Sequence, residues 1–429
     1  QLPGCTTTDC AATFNAGLDM AMAPDSWRGL YDSTVKHVQS GEIPMERLDD
    51  AVRRILRVKF RMGLFDAPKP SARALGGKFE LLGAPEHREV ARRAVRESLV
   101  LLKNQDGILP LAANQNVLVA GDGADDMGKQ SGGWTLNWQG TGTRRADYPN
   151  GDTIWDGIRT QVTAAGGTAQ LAVDGAYRQK PDVAIVVFGE DPYAEFLGDL
   201  PNLLYKPGND ADLELVKRLR ADGIPVVSVF ISGRPLWVNR EINASNAFVA
   251  AWLPGSEGAG IADVLLRGAD GQPQHDFTGK LSFSWPRRAD QYVNNVGMEG
   301  YDPLFAFGHG LTYADAGNLD ALPEDAGVSA DDGKDAGYFA KGVPGPGIRL
   351  VVTGADGRGA DVLHPRVVTP DGTLSLAAVD YQTQEGGRLL TWTGNATAEL
   401  LSHSPADLSR ETNGDSLLLV TLRVDALPA

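Results

Sequence analysis

The chain has 429 residues, 42% of them hydrophobic and 22% charged, and 55 acidic against 40 basic residues leave a formal net charge of -15. That length allows two or three domains of ordinary globular composition. The acidic balance argues against a nucleic-acid partner, whose phosphates recruit Lys and Arg, and there is no run of eighteen apolar residues to predict a membrane span.

The opening Gln1-Leu2-Pro3-Gly4 carries neither Met nor a signal peptide, and reads as a mature end or the start of an internal fragment. Cys5 and Cys10 suit a short disulfide loop, which would imply an oxidising compartment; two free thiols are the alternative. With 6 histidines, Cys and His are too sparse for a zinc cluster of the usual kind. Ala11 to Gly17 reads as the end of a helix, Leu18 to Pro24 as a short strand, and Leu30 to Gln39 as a helix. A long amphipathic helix follows from Ile43, with Leu48, Val52, Ile55, Leu56, Phe60 and Leu64 at helical spacing. One strand and three helices cannot close a layered core, so neighbours are expected before residue 1 or in another chain.

Phe65 to Pro85 is aperiodic and predicts a linker; His87 to Ser98 is helical. Apolar strands are expected at Leu99 to Asn104, Asn116 to Gly121, Val183 to Phe188, Pro225 to Ile231 and Ala247 to Trp252. Helices at Gly151 to Ala165, Asp212 to Arg220 and Gly258 to Leu266 separate them. Strands without polar alternation predict a mostly parallel sheet covered on both faces. Phe277 to Pro286 reads as one more strand, and the aromatic Tyr301 to Tyr313 as a segment returning over the sheet. Asp315 to Gly342 predicts a linker. Alternating runs at Ile348 to Val352, Leu374 to Val379, Leu389 to Thr393 and Leu417 to Val424 predict an antiparallel β domain, a sandwich.

The chemistry gathers after Phe188. Gly189 opens a loop carrying Glu190, Asp191, Glu195 and Asp199, beyond the carboxyl end of a buried strand, where open α/β sheets bind ligands. A second stretch, Gly132-Gly133-Trp134-Thr135-Leu136-Asn137-Trp138-Gln139-Gly140, is polar and aromatic, and its glycines argue for a loop. Together they look like a sugar site, with carboxylates for proton transfer, tryptophan faces for sugar rings, and Asn137 and Gln139 as hydrogen-bond partners. Glu195 is the acid/base candidate and Glu190 the structural alternative; spacing alone does not separate them. Arg144 and Arg145 read as structural ions and His309 as a structural residue in a glycine turn.

These stretches resemble glycoside hydrolase family 3, of the type that includes plant β-glucan exohydrolases and bacterial exo-1,3/1,4-β-glucanases. Asn15-Ala16-Gly17-Leu18-Asp19-Met20 with Pro24-Asp25 resembles the family's last barrel strand, and Arg47 to Lys59 its final barrel helix. Leu101-Leu102-Lys103-Asn104 and Ile108-Leu109-Pro110-Leu111 resemble the entrance to its second domain. Ser232-Gly233-Arg234-Pro235, Trp252 to Gly258 and Phe307-Gly308-His309-Gly310-Leu311 resemble the remainder of that domain. The resemblance covers residues 1 to 313. It implies the end of a TIM-like (β/α) barrel at 1–65, a linker and first helix at 66–96, and an α/β sandwich domain at 97–313. A linker at 314–342 and a β-rich accessory domain at 343–429 complete the expected order.

The same resemblance implies Glu195 as general acid/base, Trp134 and Trp138 as the pair clamping glucose at the entrance subsite, and Glu190, Tyr193 and Asp199 in support. It implies a retaining exo-acting β-glucosidase or exo-1,3/1,4-β-glucanase acting on β-glucans, secreted or periplasmic, without cofactor or metal. The family's nucleophile is an aspartate in an Asp-Trp segment, and none occurs before Asn15. Nucleophile and glucose pocket are therefore expected on an upstream barrel segment, with the isolated chain inactive. A β-xylosidase of the same family and a catalytically incomplete carbohydrate-binding module are the alternatives. An N-acetylhexosaminidase fits poorly, because those enzymes usually keep a histidine acid/base on the barrel.

Overall fold

The computed structural model describes residues 4–195, 197–329, 339–340, 343–344, 348–363, 366–381 and 384–402. The chain divides into two compact units, Gln1–Leu82 and Gly83–Ala429.

The first unit holds three helices, α1 (Ala11–Asn15), α2 (Trp27–Ser40) and α3 (Met45–Arg61). Cys5 and Cys10 form a disulfide. His37 near the end of α2 bonds Asp9 and Glu42 through its two ring nitrogens, each at 2.6 Å, and Arg47 on α3 pairs with Asp19. Leu18 to Pro24, expected as a strand, is not one. A strand is held by ladder hydrogen bonds to a neighbour, and the first unit has no described strand to supply them. Of the apolar positions at helical spacing, Val52, Leu56 and Phe60 on α3 and Leu64 just beyond its end are exposed, and the unit's buried apolar residues are only Cys10, Ala11, Ile43 and Ala51 among those described.

The second unit begins with α4 (Pro85–Ser98), whose Pro85 sits in the first turn, where a missing N–H costs nothing. Its sheet is built from β1 (Val100–Asn104), β2 (Asn116–Ala120), β3 (Thr168–Leu171), β4 (Val183–Gly189), β5 (Val226–Ile231) and β6 (Ala247–Trp252). The spatial order is β1-β6-β5-β4-β2-β3. β1 runs antiparallel to β6 and the other pairs are parallel. Between the strands lie α5 (Met127–Ser131), α6 (Ile154–Ala164), α7 (Ala211–Ala221) and α8 (Asn239–Ala244), with α9 (Ala259–Leu265) after β6.

Strand side chains alternate between two apolar layers. Val119, Ile185 and Val229 pack with Ile154 and Ile158 of α6 and Ile261 of α9. Val186, Phe188 and Phe230 pack on the other face with Val216 and Leu219 of α7 and Ile242 of α8. Both faces are dry, so the strands show no polar alternation. Burying each such side chain is worth about 1.5–3 kcal/mol.

The expected strand at Phe277 to Pro286 is instead a loop. It pairs at two separated points, Leu281 with Gly308 and His309, and Trp285 with Leu304 and Phe305, and Pro286 has no N–H to extend the second. The returning segment reaches the sheet edge, where Leu311 bridges Leu101 of β1. The acidic stretch after it is partly seated: Asn104 donates to Gly317, and Asn243 of α8 donates to the Leu322 carbonyl.

The C-terminal region is antiparallel. After β7 (Phe339–Ala340) and β8 (Val343–Pro344) come β9 (Ile348–Thr353), β10 (Gly359–Asp361), β11 (Arg366–Val368), β12 (Leu374–Tyr381), β13 (Gln384–Trp392) and β14 (Thr397–Ser402). The sheets β10-β9-β14 and β11-β12-β13 share a core of Leu350, Val352, Leu374 and Leu376. The expected run Leu417 to Val424 lies outside the described residues.

Asp263 on α9 holds the helical layer together. Arg92 of α4 donates to both of its oxygens at 2.6 and 2.7 Å, Arg96 donates at 3.1 Å and Gln161 of α6 at 2.7 Å. Burial pushes the Asp263 carboxyl up, but these donors, Arg92 first, outweigh it and leave the group below the usual aspartate range. Asp263→Ala leaves two arginines without their shared anion and should cost about 2–3 kcal/mol, after discounting for their partial exposure. Urea unfolding at neutral pH measures the loss. Because the folded value is depressed, Asp263's contribution is complete above the unfolded value of about 3.9 and is lost as pH falls through the folded value. The gap between wild type and variant should therefore close in acid.

Candidate active site

Two backbone features aim the carboxylate loop. A Cβ on Gly189 would lie 1.8 Å from the Ile231 carbonyl oxygen, so only glycine lets β4 end this close to β5. Glu190 then donates its N–H to Ile231 at 2.9 Å. Its carboxylate accepts from Arg234 Nε at 3.0 Å and from the Gly233 N–H at 3.2 Å. Burial pushes this carboxyl group up, with Arg234 pulling against it. The Arg234 guanidinium lies 4.2 Å from the centre of the Tyr193 ring, and burial together with the Glu190 charge pushes the Tyr193 hydroxyl up to about 12. Glu190 and Tyr193 thus form an internal brace.

Glu195 is placed differently. Its side chain is exposed, and one oxygen, Oε2, accepts both indole N–H groups, from Trp138 at 2.7 Å and Trp134 at 3.0 Å. The Trp138 hydrogen bond, Glu195's own backbone N–H and the Trp134 bond favour the anion, leaving the carboxyl group below the usual glutamate range. Asp199 stands apart: it is exposed and, among the described residues, makes no hydrogen bond or ion pair to this group.

The tryptophan loop is a strained turn. Trp134 N–H donates to the Trp138 carbonyl at 2.7 Å, and Trp134 and Leu136 take positive φ of 58° and 65°, a region that costs bulky side chains of order 1–3 kcal/mol. Contacts with the carboxylate loop hold it there. A Cβ on Gly133 would lie 2.0 Å from the Tyr193 carbonyl oxygen. Gln139, buried, accepts from the Ala194 N–H at 2.6 Å and donates to the Glu195 carbonyl at 3.1 Å. Asn137 accepts from the Gly140 N–H at 2.6 Å and donates to the Thr141 carbonyl at 2.8 Å. Asn137 and Gln139, expected to bind sugar hydroxyls, are spent on the loops themselves.

The indole rings are 6.2 Å apart and tilted by 46°. Two parallel faces gripping a sugar need about 7–8 Å, one contact distance of about 3.5–4 Å on each side. The pair therefore leaves no slot between the rings in this arrangement, although Trp134 is 70% exposed and offers a free face. Arg144 pairs with Asp147 and Arg145 with Asp156, and His309 stacks on Phe305 at 4.7 Å. Among the described residues, no group of three or more His, Cys, Asp or Glu could hold a metal ion.

Gln139→Ala removes both clamping hydrogen bonds and leaves a part-buried N–H and carbonyl without this partner. The expected cost is about 1–3 kcal/mol in urea unfolding. A loss of indole-to-carboxylate contact should accompany it, read from the Trp134 and Trp138 indole N–H resonances.

Three family models match the chain. The one described as "Glycosyl hydrolase family 3 C-terminal domain" matches residues 99–313, the "Glycosyl hydrolase family 3 N terminal domain" matches residues 1–58, and "Galactose-binding domain-like" matches residues 353–429. A lysosomal beta glucosidase of Dictyostelium discoideum is 34% identical over 70% of this chain and 38% of its own length. A periplasmic beta-glucosidase of Salmonella typhimurium is 29% identical over 70% of this chain and 44% of its own length. Among solved structures, an exo-1,3/1,4-beta-glucanase from a Pseudoalteromonas species superposes with a TM-score of 0.73 at 46% identity, covering 94% of this chain and 50% of that one. The chain thus spans less than half the length of the curated relatives named. With half its residues matched by the C-terminal domain model and a further block by the N-terminal one, the chain belongs to glycoside hydrolase family 3.

Proposed function

We propose that this chain supplies the general acid/base of a retaining, exo-acting β-glucosidase or exo-1,3/1,4-β-glucanase that releases glucose from β-glucan ends. The observation that carries the reading is the Glu195 carboxylate, exposed beyond β4 and gripped by two indole N–H groups. The α/β layer positions this carboxylate. A barrel segment upstream of Gln1 supplies the aspartate nucleophile and most of the glucose pocket, so the chain by itself does not turn over. Residues 1–65 are the barrel's end and residues 97–313 the acid/base domain.

In the first step the upstream aspartate attacks the anomeric carbon, the glycosidic bond breaks, and Glu195 gives its proton to the leaving oxygen. In the second, Glu195 as carboxylate takes a proton from water, whose oxygen attacks the same carbon and frees glucose with retained configuration. A general acid must start protonated, whereas the indole bonds favour the anion. Substrate resolves the conflict by shutting out water and taking the carboxyl away from at least one indole, and both changes raise its pKa. Trp134, with its free face, stacks on the sugar.

The Cys5–Cys10 disulfide and the periplasmic relative support a secreted or periplasmic setting. Glu190 and Tyr193 brace the loop. Glu195→Gln, in protein carrying this chain with its barrel, should lower kcat/KM on a β-1,3-linked glucose disaccharide by about 10²–10⁴. The loss should be clearly smaller on an aryl glucoside whose leaving group departs without a proton. Equal loss on both substrates overturns the acid role.

A further inference from the structure

Behind the two loops lies a lysine that the reaction as described does not use. Lys129, on α5, has a side chain only 3% exposed. Its ammonium donates to Asp122 Oδ2 at 2.7 Å, to Asp191 Oδ1 at 2.8 Å and to the Gly189 carbonyl at 3.3 Å. Asp122 stands just past the end of β2. Gly189 closes β4, the neighbouring strand, and Asp191 is the second residue of the carboxylate loop. The helix bearing the lysine is capped by Asp126, which accepts the Lys129 N–H at 2.9 Å, and it runs out at Gly132 directly into the tryptophan loop. One cation therefore touches the start of the carboxylate loop from the helix that launches the tryptophans.

We propose that Lys129 is a positioning residue for Glu195: its buried ammonium fastens the root of the carboxylate loop to the root of the tryptophan loop, and so fixes where the Glu195 carboxyl group meets the two indoles. The inference rests on the acid/base reading of Glu195 for its catalytic meaning, but not for its geometry.

The surroundings make the cation a fixed one. A second lysine, Lys206, pairs with Asp212 at 2.9 Å and lies 3.7 Å from Asp122. Tyr205 donates to Asp212 at 2.7 Å or to the Gly189 carbonyl at 3.0 Å. Arg388 of β13 feels the Asp191 charge. Burial works against the Lys129 charge, but Asp122 and Asp191 outweigh it and hold the ammonium well above the usual lysine range. A buried ammonium bound to two carboxylates and a carbonyl has little freedom to move, so displacement of either loop root breaks a charge-assisted bond worth roughly twice a neutral one.

A merely structural ion pair would predict lost stability and nothing more. The discriminating variant is Asp191→Asn, because its two possible effects on Glu195 have opposite signs. Removing a nearby negative charge by itself makes Glu195 easier to ionise and lowers its titration midpoint. Loosening the loop root weakens the indole hydrogen bonds to the carboxylate and raises it. Asp191 is about one-third exposed, so the substitution should be tolerated. The experiment titrates the full 429-residue chain with pH. It follows the indole N–H resonances of Trp134 and Trp138, assigned through Trp134→Phe and Trp138→Phe. The Glu195 titration is the transition that Glu195→Gln abolishes.

The expected result is an upward shift of the Glu195 midpoint in Asp191→Asn, toward the ordinary glutamate range, with the thermal unfolding curve still cooperative. Lys129→Met should show the same upward shift wherever it folds; if it does not fold, Asp191→Asn decides alone. An unchanged or lowered midpoint in folded Asp191→Asn overturns the proposal and leaves Lys129 a structural ion. The titration needs no turnover, so this outcome is separate from whether Glu195→Gln loses activity on glucosides.

Discussion

The site depends on one close approach of main chain to main chain. Gly133 lies against the Tyr193 carbonyl so tightly that a single added carbon would sit 2.0 Å from the oxygen. That contact lets the loop leaving β4 and the loop leaving α5, the helix that follows the neighbouring strand β2, share a boundary without side chains between them. Once they touch, Gln139 bonds the Ala194–Glu195 segment from both sides, and the indole edges arrive at the Glu195 carboxylate. The left-handed backbone at Trp134 and Leu136 is the local cost. It is offset by contacts that no straight segment could make, which is how strained loops persist at functional sites.

The surroundings drive Glu190 and Glu195, both ordinary glutamates five residues apart in one loop, in opposite directions. Glu190 is largely but not fully buried, and desolvation pushes its carboxyl up despite the Arg234 ion pair. Glu195 is exposed, and hydrogen bonds pull it down. A raised value often marks a general acid, and by that criterion Glu190 would be chosen. Geometry argues otherwise: both Glu190 oxygens are engaged by Gly233 and Arg234 inside the loop, whereas Glu195 faces outward beside an exposed aromatic surface. On the proposed reading, a lowered value in the free protein suits a group that serves as base in the second step, with substrate raising it for the first.

Much of the α/β layer was legible because its strands are dry on both faces. Val183 to Phe188 and Val226 to Ile231 are short, β-branched-rich runs without polar alternation, the pattern of a strand covered on both faces. β3 was missed for the opposite reason: Thr168–Leu171 lies at the sheet edge, half exposed, and alternates. α5 and α8 span 5 and 6 residues, too few for a periodic signal. Phe277 to Pro286 has the aromatic and hydroxyl composition of a strand but meets partners at only two points. In the site, residue types announced the loop and the tryptophans, whereas directions could not be read. Gln139 and Asn137 look like sugar ligands in sequence and turn out to face the chain. Lys129 gave no signal, because nothing about Met127-Gly128-Lys129-Gln130 says that the ammonium is buried between one carboxylate 7 residues away and another 62 residues away.

The most direct test of the central claim is a crystal structure of protein carrying this chain and the family's barrel, bound to a β-1,3-linked glucose disaccharide. The account predicts that the Glu195 carboxyl group leaves at least one indole and lies about 2.6–3.2 Å from the glycosidic oxygen, with the Trp134 face against a sugar ring. A disaccharide bound in the barrel pocket while Glu195 stays held by both indoles, out of reach of that oxygen, would contradict it.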